Sequence, residues 1–187
     1  MSTVTTPETT TTWTIDPAHS GVHFSIKHLV VATVRGQFDK VSGSITLDPQ
    51  RPGRSSVHAV IEAGSINTRE AQRDAHLRSS DFLDTEQFPT IEFRSTEILP
   101  TADGLTINGD LTIHGVTRPV VLAVETTDME LKDPWGNLRR AATATTRINR
   151  KDFGLGWNVA LEAGGFMVGD ELKIEIDVEL VRQAAAA

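Results

Sequence analysis

Alternation of apolar and polar residues is the feature that most constrains how this chain can fold. In the segment 22–30, four apolar residues and His28 recur at every second position, and polar side chains fill most of the positions between them. A period of two places successive side chains on opposite faces of a β-strand, so the segment predicts a half-buried antiparallel strand. The residues on the predicted inward face are Val22, Phe24, Ile26, His28 and Val30.

Similar extended segments recur through most of the chain, and we interpret the whole pattern as about eight strands. The later segments are 34–38, 41–47, 57–63, 90–98, 105–113, 120–124, 139–150 and 172–180. One segment, 67–78, breaks the pattern with good helix formers and contains no Gly, Pro, Val or Ile. Asn67 or Thr68 is the expected N-cap of this helix. The chain is therefore predicted to be all-β with a short helical insert between strands.

A long run of antiparallel strands either closes into a barrel or splits into a sandwich. Closure at about eight strands leaves an interior that side chains fill or that holds one small ligand. Aromatic residues on the inward faces fit both a filled core and a cavity. Small residues favour a cavity slightly because they leave room inside, and these are Gly109, Ala141, Ala142 and Ala144.

Charge and composition exclude several classes of function. The net charge is −7, from 18 basic and 25 acidic residues, which argues against a nucleic-acid partner and against a polybasic membrane anchor. The chain has no cysteine, so disulfides, thiolate metal sites and cysteine nucleophiles are excluded. No stretch approaches the roughly 18 apolar residues that span a bilayer. The N-terminus lacks the basic and apolar regions of a secretory signal, which predicts a cytoplasmic location.

The length of 187 residues predicts one folded domain with short tails. Residues 1–11 are rich in threonine and nearly free of large apolar groups, so we expect a disordered N-terminal tail. Residues 12–183 are expected to form the barrel domain, and the alanines after it are expected to fray.

Histidines suggest an alternative function, which is an enzyme acting on a hydrophobic substrate or using a metal. His19, His23 and His28 are close in sequence, and His76 lies in the helical insert. His23 and His28 are separated by an odd number of residues, so a regular strand would place them on opposite faces, which is poor for a shared metal ion. His28 faces inward and is either a core histidine or a polar contact for a ligand.

Other catalytic signatures are weak. The sequence has no G-x-S-x-G elbow and no carboxylate pair with a recognisable spacing. The glycine-rich segment 152–169 resembles neither a phosphate-binding loop nor a dinucleotide fingerprint, because these need a strand before and a helix after them. The residues alone therefore favour no particular catalytic site.

Six motifs in order along the chain resemble the YceI-like family. They are I-D-P-A-H-S-G-V-H-F-S-I-K-H-L at 15–29, V-R-G-Q-F at 34–38, H-L-R-S-S-D-F-L-D at 76–84, F-P-T-I-E-F at 88–93, L-T-I-H-G-V-T-R-P-V at 111–120 and R-K-D-F-G-L at 150–155. The resemblance covers residues from Trp13 to Val181. Each motif is weak alone, and their combination in this order is specific.

The resemblance implies an eight-stranded antiparallel barrel of lipocalin-like architecture with a long apolar tunnel. It implies a non-enzymatic carrier or store of a polyisoprenoid, an isoprenoid quinone or a fatty-acid derivative, without a cofactor and with a homodimer as a possible assembly. His28 and the helical insert are the candidate contacts for a ligand head group. A stress-related interaction protein that uses the barrel exterior is a further alternative. The expected ligand-binding residues are Val22, Phe24, Ile26, His28, Phe38, Phe82, Phe88, Ile91, Phe93, Leu111, Ile113, Phe153 and Trp157.

Overall fold

The computed structural model describes residues 10–29, 31–126, 129–162 and 165–184. These residues form twelve β-strands and one α-helix. The elements are β1 (Thr11–Ile15), β2 (Gly21–His28), β3 (Ala32–Phe38), β4 (Val41–Leu47), β5 (Ser56–Glu62), β6 (Ile66–Asn67), α1 (Ala71–Arg78), β7 (Thr90–Thr101), β8 (Gly104–Ile113), β9 (Val116–Thr126), β10 (Leu131–Lys132), β11 (Leu138–Asn149) and β12 (Val168–Arg182). Val30 and most of the predicted tail at 1–11 lie outside the described residues.

Eight strands close into an antiparallel barrel, which confirms the predicted fold class. Their order is β11-β9-β8-β7-β5-β4-β1-β12, and β12 pairs again with β11 to close the ring. The other four strands, β2, β3, β6 and β10, extend the sheet beyond this ring. Full closure leaves no exposed edge along the ring, which suits a chain built of alternating strands.

The opening segment of the chain is split between two strands that share one partner. Trp13 pairs with Arg182 near the C-terminal end of β12, and His28 pairs with Val168 at its N-terminal end. β12 is 15 residues long, so it forms one continuous wall against which β1 and β2 lie end to end.

The barrel has two distinct ends, which we name the α1 end and the Arg140 end after the helix and the arginine that lie there. The α1 end carries α1, the turn between β8 and β9, and the segment 150–157 that follows β11. The Arg140 end carries the turns between β4 and β5, β7 and β8, and β10 and β11. Arg140 pairs with Leu180 there, twelve residues along β12 from Val168, which corresponds to roughly 40 Å of extended strand.

The helix begins later than the sequence pattern indicates. The segment 67–78 is predicted to be helical, but Asn67 belongs to β6 and pairs with β3, and α1 starts at Ala71. Neither Asn67 nor Thr68 caps the helix. Instead the Glu70 carboxylate accepts hydrogen bonds from the backbone N–H groups of Gln72 and Arg73. The prediction was wrong because pairing with β3 draws the first residues of the segment into the sheet.

Candidate ligand-binding cavity

A cavity of about 960 Å³ lies inside the barrel, and most of its lining side chains are aliphatic or aromatic. All eight strands of the ring except β1 contribute several residues each, and β1 contributes Ile15. The expected ligand-binding residues that line the cavity are Val22, Phe24, Ile26, His28, Phe38, Phe82, Ile91, Phe93, Leu111, Ile113 and Trp157. The inward face predicted from the alternation is thus the face that surrounds the cavity.

Two of the expected residues do not line the cavity. The ring of Phe88 packs against the ring of His114 at a centroid distance of 4.6 Å, in the turn between β8 and β9. Phe153 is 1% exposed and lies in the 3₁₀ turn after β11, within the hydrophobic core. Both residues follow or precede a strand, so the period of two does not determine where their side chains point.

Small residues help to keep the interior open. Ala142 and Ala144 face inward on β11, where larger side chains would reach into the cavity. Gly109 on β8 has a different role, because a Cβ atom there would lie 2.4 Å from Cζ of Phe93. The missing side chain therefore lets the Phe93 ring lie against β8 while it lines the cavity.

At the α1 end, three rings pack together beside the cavity. The His76 ring lies 4.7 Å from the Trp157 ring and 5.1 Å from the Phe82 ring, and Phe82 and Trp157 are also 5.1 Å apart. The Nε2 atom of His76 is 2.8 Å from Asp81 Oδ2, which fixes the orientation of the imidazole. These three residues therefore form an aromatic cluster that narrows this end of the cavity.

A buried arginine, Arg150, anchors the segment that carries Trp157. Its guanidinium donates to the backbone carbonyls of Gly169, Leu155 and Trp157 and to Asp170 Oδ1. The residue is 2% exposed, and this burial lowers the pKa of Arg150 from its ordinary value. The sequence analysis did not identify this role. Arg150 ties the loop after β11 to the start of β12 and so defines the shape of the α1 end.

At the Arg140 end, the Arg140 guanidinium also lines the cavity but has fewer partners. It lies over the ring of Trp13 at 5.3 Å from the centroid, and it donates to Glu130 Oε1 at 2.9 Å. Asp48 lines the same end and is engaged by Arg51 at 3.4 Å. The sequence analysis assigned no role to Arg140 either.

The early histidines do not converge. His19 lies 3.0 Å from Asp16 at the corner between β1 and β2, His23 is 3.9 Å from Asp177 on the barrel exterior, and His28 lines the cavity. The structure therefore does not bring together the cluster on which the metal-dependent alternative depends.

Within the described part of the chain, one group has the spacing of a metal site, and it consists of Asp16, His19 and Glu179. A guanidinium already occupies this group, because Arg139 donates to Asp16 and Glu179 and also to Asp133. Hydrogen bonds from Arg139 and His19 lower the pKa of Asp16 to about 2. The group is therefore an ion-pair cluster that joins the β1–β2 corner to β11 and β12.

The closed ring and the enclosed apolar cavity define the class of protein as an eight-stranded antiparallel barrel of lipocalin-like shape. Among the described residues, no helix has the length and the apolar character needed to cross a membrane. The family model of the YceI-like domain matches residues 13–180. The chain belongs to the YceI-like family, which confirms the resemblance stated above.

Individual relatives agree with this assignment. A UPF0312 protein of Yersinia enterocolitica is 38% identical over 164 residues, which cover 88% of this chain and 82% of the relative. The crystal structure of Burkholderia cenocepacia BcnA matches with a TM-score of 0.76 at 22% identity, covering 88% of this chain and 98% of BcnA. A polyisoprenoid binding domain from Saccharophagus degradans matches with a TM-score of 0.64 at 15% identity, covering 91% and 98%. The two structures share the fold of this chain.

Proposed function

We propose that this protein binds a long-chain amphiphile in its barrel cavity and carries or stores it. The observation that carries the proposal is the cavity of about 960 Å³ with a predominantly apolar lining. This volume lies at the upper end of the usual range for small-molecule pockets, and the cavity follows the length of the barrel. A polyisoprenoid, an isoprenoid quinone or a fatty-acid derivative has the matching shape and polarity.

The physics of apolar burial supports this choice. Each methylene that moves from water into an apolar site contributes about 0.8 kcal/mol. A chain of about 16 carbons therefore gains on the order of 10 kcal/mol, from which the cost of ordering the ligand must be subtracted. Such a cavity needs no catalytic group to bind tightly. The likeness in fold to the polyisoprenoid binding domain of Saccharophagus degradans adds support for the ligand class.

The placement of polar groups favours a carrier over an enzyme. Serine-dependent nucleophilic catalysis needs a serine within hydrogen-bonding distance of a base. Among the described residues that line the cavity, Ser55 is the one serine, and it lies at the Arg140 end. The lining histidines, His28 and His76, lie at the α1 end. We therefore propose a non-enzymatic binding protein that requires no cofactor.

Mass spectrometry of an organic extract of the purified protein tests the proposal, and a stoichiometric long-chain amphiphile is the expected result. The variant A144F places a ring in the cavity from β11 and should lower the bound amount, since a ligand that shares the space with this ring is overpacked and loses about 1–3 kcal/mol of binding free energy. A123F makes the same change on the outward face of β9, where Ala123 is exposed, and should leave the bound amount unchanged. Equal occupancy of both variants and the wild type, or an extract without amphiphile, would contradict the proposal.

The expected homodimer and the cytoplasmic location stay predictions. Light scattering of the purified full chain tests the first, and fractionation of the native cells tests the second.

A further inference from the structure

We propose that Arg140 binds the head group of the ligand, and that the ligand is an amphiphile with an anionic head such as a carboxylate or a phosphate. The inference rests on the proposed function, because it assigns an orientation and a chemical class to the ligand of the same cavity. It also differs from the expectation drawn from the sequence, in which His28 and the helical insert contact the head group at the opposite end.

The first observation is an unpaired donor. The Nε atom of Arg140 is buried and is the one buried side-chain nitrogen or oxygen of the described residues without a hydrogen-bonding partner. Buried donors in native proteins are nearly always paired, so an unpaired one calls for a missing acceptor. Arg140 lines the cavity, so an acceptor that enters with the ligand can reach it.

The second observation is that the guanidinium is held in place without being saturated. Trp13 is 0% exposed, and its indole N–H donates to Thr11 Oγ1 at 2.8 Å, so the ring on which Arg140 stacks is fixed. Glu130 accepts one hydrogen bond from Arg140 Nη2. A guanidinium carries five N–H donors in a planar fork that matches a carboxylate or phosphate, so donors remain for a ligand.

The third observation is the local charge. Glu130 is shared, because Arg182 Nη1 also lies 3.6 Å from its Oε2 atom. Two arginines thus face one carboxylate. Asp48, the one acidic residue among the described residues that line the cavity, is already paired with Arg51 and accepts hydrogen bonds from the backbone N–H groups of Gln50 and Arg51. In this cluster two guanidinium groups thus accompany one carboxylate beside an apolar space, where an ion pair is stronger than in water.

The α1 end offers a weaker anion site. The Arg150 guanidinium is used by three carbonyls and Asp170, and Arg73 donates to the hydroxyl and the carbonyl oxygen of Thr68. His28 lines this end of the cavity and is the residue to test for the opposite orientation.

The experiment compares hexadecanoate with methyl hexadecanoate, which has the same chain without the charge, by titration into delipidated full-length protein. We expect the wild type to bind hexadecanoate more tightly than the ester. R140M should weaken the binding of hexadecanoate about tenfold or more and change that of the ester by less than about twofold. R147M is the matched control, since Arg147 lies on the same strand but is exposed, pairs with Glu171 and does not line the cavity, and it should change both affinities by less than about twofold.

The E130Q variant should change the affinity for hexadecanoate in the opposite direction to R140M. It therefore tests the proposal even if R140M does not fold. Removing the competing carboxylate should tighten the binding of hexadecanoate several-fold, by roughly the effect of one exposed ion pair or more.

Three results would overturn the assignment of the head-group site. R140M could weaken both probes equally, in which case the guanidinium only packs on Trp13. H28A, rather than R140M, could remove the preference for the carboxylate, in which case the ligand lies the other way round. The wild type could bind both probes equally, which would refute the head-group site and leave the carrier function standing. Failure of the wild type to bind either probe would instead refute the carrier function itself.

Discussion

Arg140 lies on β11, and Arg150 directly follows that strand, ten residues further along the chain. The two arginines lie at opposite ends of the cavity. Both line the cavity, but their surroundings differ. Arg150 is 2% exposed and donates to four acceptors of the protein itself. Arg140 donates to one acceptor and keeps a buried Nε without a partner among the described residues.

The difference separates two uses of a guanidinium that lines a cavity. A guanidinium whose three nitrogens all have partners within the protein holds segments of the chain together, and its removal leaves several acceptors unpaired. A guanidinium with an unpaired buried donor is already partly desolvated without a compensating hydrogen bond, so an acceptor supplied by a ligand stabilises it. We therefore infer that the α1 end is shaped by structural hydrogen bonds and that the Arg140 end is prepared for a head group.

The largest effect is expected from Arg150. R150M leaves three backbone carbonyls and Asp170 without their buried donor, so the free energy of unfolding should fall by about 3 kcal/mol or more. Denaturation of ligand-free protein in guanidinium chloride measures this change. R147M removes an arginine from the exposed face of β11, where Arg147 pairs with Glu171, and should change the stability by about 0.5 kcal/mol or less. Equal stability of R150M and R147M would contradict a structural role for Arg150.

A smaller effect is expected when the α1 end is opened. W157A removes the ring that packs on His76 and Phe82, so bound hexadecanoate should dissociate about threefold faster or more, since changes at a binding site act mainly on the dissociation rate. Stopped-flow displacement measures this rate. W135A removes an 82% exposed tryptophan from the turn before β11, at the Arg140 end, and should leave the rate unchanged. Faster release from W135A alone would show that the ligand leaves by the Arg140 end.

The smallest effect concerns Arg139, which faces away from the cavity and contacts Asp16, Asp133 and Glu179. The pKa of Asp16 is lowered to about 2 and that of Asp133 is lowered further, both chiefly by Arg139. A lowered carboxyl pKa contributes stability above the ordinary value of about 4, and this contribution is lost as the pH falls through the folded value. The stability of the wild type should therefore decrease between pH 4 and pH 2.

The R139M variant tests the source of that decrease. It should be less stable than the wild type at pH 7 and should lose less stability between pH 4 and pH 2, because its carboxylates keep only the contacts to His19 and to neighbouring backbone and side-chain amides. Thermal melts across this pH range measure both effects, with R182M as the control. Parallel curves for R139M and the wild type would mean that other carboxylates cause the acid sensitivity.

Several features of this protein could be predicted from its sequence, because they depend on local periodicity. The alternation at 22–28 placed Phe24 and Ile26 on the inward face, and both line the cavity. Of the thirteen ligand-binding residues that the family resemblance implied, eleven line the cavity. The start of α1 could not be predicted, since the pairing of Asn67 with Gln37 of β3 overrides the capping preference of the segment. Phe88 and Phe153 do not line the cavity, and the alternation could not indicate this because both residues lie outside the strands.

For Arg140, the sequence indicates the direction of the side chain but not its hydrogen-bonding partners. Arg140 has the same parity as Ala142 and Ala144 on β11, so the alternation alone indicates that it faces inward. The sequence contains no sign that Glu130 is its one hydrogen-bonding partner among the described residues or that its Nε is buried and unpaired. The guanidinium also lies over the ring of Trp13, which is more than a hundred residues away in the chain.

The sequence by itself determined most of the strand segments, the inward face of β2 and the family to which the chain belongs. Only the tertiary structure decided that the inward faces surround a hollow of about 960 Å³. It also decided that, among the described residues, every nitrogen of Arg150 at one end has a partner while Nε of Arg140 at the other end has none. The physical reason is the distance along the chain over which each feature is determined. The direction of a side chain follows from its own strand, whereas empty volume and unpaired donors depend on which distant strands meet across the barrel.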